Sequence, residues 1–155
     1  MTGSETPSAI DASALRILLV RLAECSFSVN PDFAPGENKE INVTFSFGVQ
    51  RKLITPTRGI VHFQVAAFED EPSAPFRVSV TYEGVFDANE GQEAGLTEYM
   101  KVHALAMLVP YLRETLSSIS ARAGFPPLIL PPLNVVALAR QLDESSQPHA
   151  GADKE

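Results

Sequence analysis

At 155 residues and 16.8 kDa the chain is one domain long, enough to bury a core without disulfide or metal staples. Hydrophobic residues at 45% and charged residues at 20% are an ordinary globular composition, which excludes wholesale disorder. Twelve Lys and Arg against nineteen Asp and Glu leave a net charge of −7, the wrong sign for a protein that tracks phosphates, so no nucleic acid partner is expected.

The N-terminal stretch, residues 1–13, is small and polar and is expected to be a disordered tail. It carries no positively charged leader, and Arg16 and Arg21 interrupt the apolar run Ile17–Val20, so neither a signal peptide nor a spanning helix is expected. The single cysteine, Cys25, allows no intrachain disulfide and fits a reducing compartment. No membrane insertion and a cytoplasmic location follow as expectations. One domain is expected over 14–142, with a flexible C-terminal tail over 143–155.

The segment from Leu15 to Val29 reads two ways. Leu15, Leu18, Leu19 and Leu22 fit a helical stripe, whereas Ala23, Cys25, Phe27 and Val29 alternate as a strand. Ile41, Val43, Phe45, Phe47 and Val49 then alternate cleanly with polar residues, and so do Phe76, Val78, Val80 and Tyr82; Ile60–Phe68 is β-rich. Pro56-Thr57 and the stretch 71–75 separate these three half-buried strands. After Gly91 the period turns helical: Leu96, Tyr99, Met100 and His103, then Leu112, Leu116, Ile119 and Ala123. Pro110 is expected to end or kink the first of these helices, because its ring displaces an i→i−4 hydrogen bond. Gly124 is expected to close the second. A proline-rich strap, Phe125–Pro132, forbids both helix and central strand yet is strongly apolar, and Asn134 caps a short last helix carrying Val135, Leu138 and Leu142. Strands first and helices last make an α+β fold.

Catalytic chemistry finds little to work with. His62, His103 and His149 stand at no metal-ligand spacing, and one cysteine completes no zinc set, so neither a metal nor a cofactor is expected. No nucleophile elbow and no phosphate-cradling glycine loop is present. Cys25 in an alternating strand reads as a small core hydrophobe, His103 as a satisfied interface histidine, and Glu69, Asp70 and Glu71 as a solvated hairpin tip. No catalytic residue is assigned. What stands out is apolar material in a loop: Phe125, Leu128, Ile129 and Leu130 either fold back on their own domain or wall a groove for apolar segments of another chain.

Val109-Pro110-Tyr111-Leu112-Arg113-Glu114, followed by Arg122-Ala123-Gly124-Phe125-Pro126-Pro127-Leu128-Ile129-Leu130-Pro131-Pro132-Leu133-Asn134, resembles the SecB family of protein-export chaperones. Tyr82-Glu83-Gly84-Val85-Phe86 is similar to the end of that family's fourth strand. The resemblance covers most of residues 15–142, densely only over 109–138. It implies a four-stranded antiparallel sheet with helices packed on one face, with Leu15–Val29 as the first strand. It implies a homotetramer, a dimer of dimers with the long helix at its interface. It implies an ATP-independent holdase that binds unfolded polypeptide clients and hands preproteins to the SecA motor, with no catalysis. Tyr111, Phe125, Leu128 and Leu130 would line the client groove.

The family docks SecA through acidic residues of the first strand and a Leu-x-Glu pair of the fourth. Glu24 matches the first acidic position, whereas the second falls on Ser28 and the pair on Arg77 and Ser79. Docking by this route is therefore expected to be weak. A chaperone dedicated to one partner, such as a toxin–antitoxin pair, is the alternative reading; an enzyme would need a convergent polar site that the sequence does not supply.

Overall fold

The computed structural model describes residues 14–34 and 41–146. The expected N-terminal tail and positions 147–155 of the expected C-terminal one lie outside these residues.

Four strands form one antiparallel sheet: β1 (Leu15–Val29), β2 (Phe45–Thr55), β3 (Arg58–Ala67) and β4 (Phe76–Ala88), in the order β1-β4-β3-β2. Three helices follow, α1 (Glu93–Lys101), α2 (His103–Arg122) and α3 (Val135–Ser146). The α+β class with helices on one face is the one the sequence implies. β2, β3 and β4 are consecutive neighbours, and β1 returns by the long 30–44 connection to lie beside β4, a Greek-key path.

β1 is a strand throughout, and its double signal has a structural cause. Its register against β4 shifts between Ile17 and Leu19 and again between Leu22 and Glu24, so Leu18 and Ala23 are extra residues. Across these bulges the set that shares the helix-side face is Leu15, Ile17, Val20, Leu22, Cys25, Phe27 and Val29. Its spacing alternates between two and three, which imitates a helical stripe. β2 begins at Phe45, so Ile41 and Val43, which continue the alternation in sequence, precede the strand.

The core lies between the helix-side face of β3 and β4 and the inner stripe of α2. Val61, Phe63, Val65, Val78, Val80 and Phe86 meet Leu105, Leu108, Leu112 and Leu116, all of them buried. Each such side chain removed from water contributes about 1.5–3 kcal/mol. Gly84 makes the approach of α2 possible: a Cβ there would stand 2.7 Å from the Phe86 ring and 3.3 Å from Leu108.

Pro110 does not end the first helix. The break falls at Val102, whose φ of −128° is not helical, and Pro110 sits inside α2. The carbonyl that loses its partner belongs to Ala106, and both residues are on the exposed side of the helix, where solvent is available to that carbonyl. α2 closes as a Schellman motif, with Phe125 N–H donating to the Ser120 carbonyl and Gly124 N–H to that of Ala121, and Gly124 at φ +85°. Asn134 caps α3 through Oδ1, which accepts from Ala137 N at 3.1 Å. α3 runs through Ser146, so 143–146 are helix, not tail, and Asp143 pairs with Arg51 at 2.8 Å.

Candidate functional site

The strap between α2 and α3 is fastened from below. Ser120, fully buried, donates its hydroxyl to the Leu116 carbonyl at 2.8 Å and accepts the Leu128 N–H at 2.8 Å. Arg113 Nε donates to the Leu130 carbonyl at 3.1 Å. Leu128 and Leu130 plug into the core beneath these bonds. A segment that forms neither helix nor strand thus has its backbone held by α2 side chains.

Held this way, the strap forms one wall of an open apolar groove of about 460 Å³. Phe125, Pro126, Pro127, Leu128 and Ile129 line the strap side, and Phe33, Ile41 and Val43 come from the β1–β2 connection. The floor is aromatic: Phe76 packs 4.9 Å from Phe125, 5.2 Å edge-on to Phe68 and 5.0 Å from Phe27, centroid to centroid. Phe68 holds φ +62°, a left-handed conformation costly for a phenylalanine, and its buried ring against Phe76 keeps it there. Ile129 is 63% exposed at the rim. A second hollow of about 620 Å³ shares Phe33 and Ile41 with the groove, but its walls include Asn30, Asp32, Asn42 and Glu71. The apolar groove is the better candidate, because only there do aromatic surfaces converge without competing polar groups.

The four expected groove residues separate in the structure. Phe125 and Leu128 line the groove. Leu130 is buried beneath the strap and offers no surface. Tyr111 does not line this groove: it stands exposed on α2 with its ring 5.6 Å from Tyr82, whose hydroxyl meets Thr115 Oγ1 at 2.5 Å. Sequence reading missed Phe33, Phe68, Ile41 and Val43. Phe33 carries no local signal, and the other three read as strand.

Glu24, Ser28, Arg77 and Ser79 do share one face, the side of the sheet that none of α1, α2 and α3 covers. Ser28 lies opposite Arg77, Ser26 opposite Ser79, and Glu24 opposite Thr81. Gln64 Nε2 donates to Ser79 Oγ at 2.8 Å.

Of the groups the sequence singled out, His149 lies outside the described residues. Cys25 is exposed on β1 and not a core residue, and partial desolvation pushes its thiol above the ordinary range, the wrong direction for a nucleophile. His103 stacks on Tyr99 at 5.5 Å, and His62 Nε2 lies 3.3 Å from Glu83 Oε1. Among the described residues no group of three or more His, Cys, Asp or Glu is placed to hold a metal ion. No helix among them is long and apolar enough to cross a membrane.

A small α+β scaffold whose distinctive surface is an aromatic-floored groove beneath a proline-rich strap is, by its geometry, a binding protein with an apolar site. The chain belongs to the SecB family: the family described as preprotein translocase subunit SecB matches residues 19–146. It is 33% identical over 148 residues to the protein-export protein SecB of Actinobacillus succinogenes, covering 86% of each chain. It is 29% identical over 110 residues to an uncharacterized protein, MJ0357, of Methanocaldococcus jannaschii, covering 70% of this chain and 71% of that one. Among solved structures it is similar to the SecB-like chaperone Rv1957 of Mycobacterium tuberculosis, in complex with a ChAD peptide from the HigA1 antitoxin. The TM-score is 0.65 at 20% identity, over 79% of this chain and 93% of that one, which shows a shared fold. The protein is a SecB-family chaperone.

Proposed function

We propose that the chain is an ATP-independent holdase of the cytoplasm that keeps unfolded polypeptides, preproteins among them, extended and competent for export. The observation that carries this reading is the groove. Phe33, Phe125 and Ile129, above a floor of buried Phe68 and Phe76, offer apolar and aromatic contact that selects for exposed hydrophobic side chains and not for one sequence. A passive binder needs neither nucleotide nor catalytic group, since its work is the burial of client surface.

The assembly proposed is a homotetramer, a dimer of dimers. α2 lies over β4 and β3 and leaves Ile17 and Leu22 of β1 exposed, beside Met107 and Tyr111 on the outer side of α2. β1 is also an open sheet edge of fifteen residues among those described, which invites pairing with another chain. Docking to SecA through Glu24, Ser28, Arg77 and Ser79 is proposed to be weak, because Arg77 carries the wrong sign and two serines carry no charge.

The test is suppression of aggregation, followed by light scattering, for several unrelated chemically unfolded proteins without nucleotide. A stoichiometric delay for all of them supports the general holdase. A delay for a single client supports the dedicated-partner reading, and no delay for any overturns the general holdase.

A further inference from the structure

The helix-free face of the sheet has a charge distribution opposite to that of the whole chain. Three cross-strand rows lie side by side near one end. Arg58, Asp87 and Arg16 form the first, Lys52, Ile60, Val85 and Leu19 the second, and Gln50, His62, Glu83 and Arg21 the third. Rows on one face follow each other at about 7 Å along the strands. The two carboxylates are the least exposed of the charged members. Asp87 is 13% exposed beneath Arg16 at 3.1 Å and Arg58 at 3.3 Å, and Glu83 is 8% exposed beneath Arg21. Their arginines remain 46–62% exposed, and Lys52 has no carboxylate partner among the described residues.

The acids therefore fix the guanidinium groups in place, and solvent meets four cations around an aliphatic row. Each arginine spends one nitrogen on its carboxylate: Nη2 for Arg16 and Nε for Arg21 and Arg58. Among the described residues no other partner takes the remaining guanidinium donors, which can serve a ligand. We propose that this face is a second binding surface, on the opposite side of the sheet from the groove, for an acidic polypeptide segment that also carries aliphatic side chains. Carboxylates of the segment would take the free guanidinium nitrogens, and an aliphatic side chain would cover Leu19, Val85 and Ile60. A long polyanion fits less well, because the chain as a whole carries −7 and these rows offer no Phe, Tyr or Trp ring for base stacking. Screening over about 8 Å lets a short acidic peptide respond to the local cations alone.

Fluorescence anisotropy on the full chain tests this. The probe is a fluorescein-labelled peptide of about a dozen residues made of Asp, Glu and Leu, set against the same peptide with Lys and Arg in place of the acids. The acidic peptide is expected to bind about tenfold tighter or better, and to weaken as salt rises. Lys52→Glu, which disturbs no ion pair among the described residues, should weaken it about fivefold with an unchanged thermal melt. Arg16→Gln with Arg58→Gln should weaken it about tenfold. Ile129→Asp should leave it unchanged. Equal binding of the basic peptide, parental affinity in a folded Lys52→Glu variant, or loss in Ile129→Asp would overturn the proposal. Preferential binding of duplex DNA, or a gain in peptide affinity on removing 147–155, would assign the face to another occupant and overturn it equally.

Discussion

Ser120 carries more of the groove than its size suggests. Among the described residues its hydroxyl is the acceptor for the Leu128 N–H, and that bond lies wholly inside the protein. Ser120→Ala removes the acceptor and leaves a buried donor, which costs about 1–3 kcal/mol. Urea unfolding should show a lower midpoint of that size with an unchanged slope. A midpoint within experimental error of the parent would mean the strap is held by Leu128 and Leu130 alone. Sequence gave no reason to choose Ser120 from Ser117, Ser118 and Ser120, since a helical serine reveals its bond only once the strap has folded back. Gly124 was legible for the opposite reason: its role depends on local backbone conformation, and a glycine after a helical stripe marks it.

At the scale of elements, the strap and the face beneath it determine what the groove can bind. Ile129→Asp and Phe125→Asp each place a carboxylate where a client's apolar side chain must desolvate it, and both should lower client affinity about tenfold or more. Ile129 is exposed, so its variant should melt with the parent; Phe125 also packs on Phe76, so its variant should melt somewhat earlier. Full client affinity in a folded Ile129→Asp chain would remove the strap from the binding surface. The strap itself was readable, because four prolines among apolar residues permit few other structures. Its opposite wall was not, because Ile41 and Val43 follow the alternation of a strand and only the structure shows β2 starting after them. The same mechanism obscured β1, where two bulges broke the period, and Pro110, whose cost falls on a solvent-facing carbonyl that α2 can leave unbonded.

On the outer face, Ser28, Arg77 and Ser79 set the expected response to SecA. Replacing Ser28→Glu together with Ser79→Glu should tighten binding to SecA and make it more dependent on salt, since paired rim charges act mainly through association rate. Calorimetry at two ionic strengths checks this. Tight binding by the parent chain, indifferent to both substitutions, would place docking on another surface.

For the whole molecule, Ile17 and Leu22 of β1 and Met107 and Tyr111 of α2 are exposed apolar side chains that further copies of the chain would cover in the proposed assembly. Light scattering at micromolar concentration should return about four times the chain mass of 16.8 kDa. Leu22→Arg with Met107→Glu should shift it to smaller species, and a monomer mass for the parent would contradict the assembly. Composition and strand alternation made the α+β class legible, but not which copies meet, because an exposed leucine in sequence looks the same as a buried one.

The central claim is that unfolded clients lie in the groove beneath the strap. Photocrosslinking from single positions, each carrying a light-activated residue, tests it most directly when an unfolded client is bound without nucleotide. Positions 129 and 33 should crosslink to the client strongly, with position 98 on the exposed side of α1 nearly silent. Equal yields from all three, or a strong signal from position 98 with none from 129, would contradict the claim.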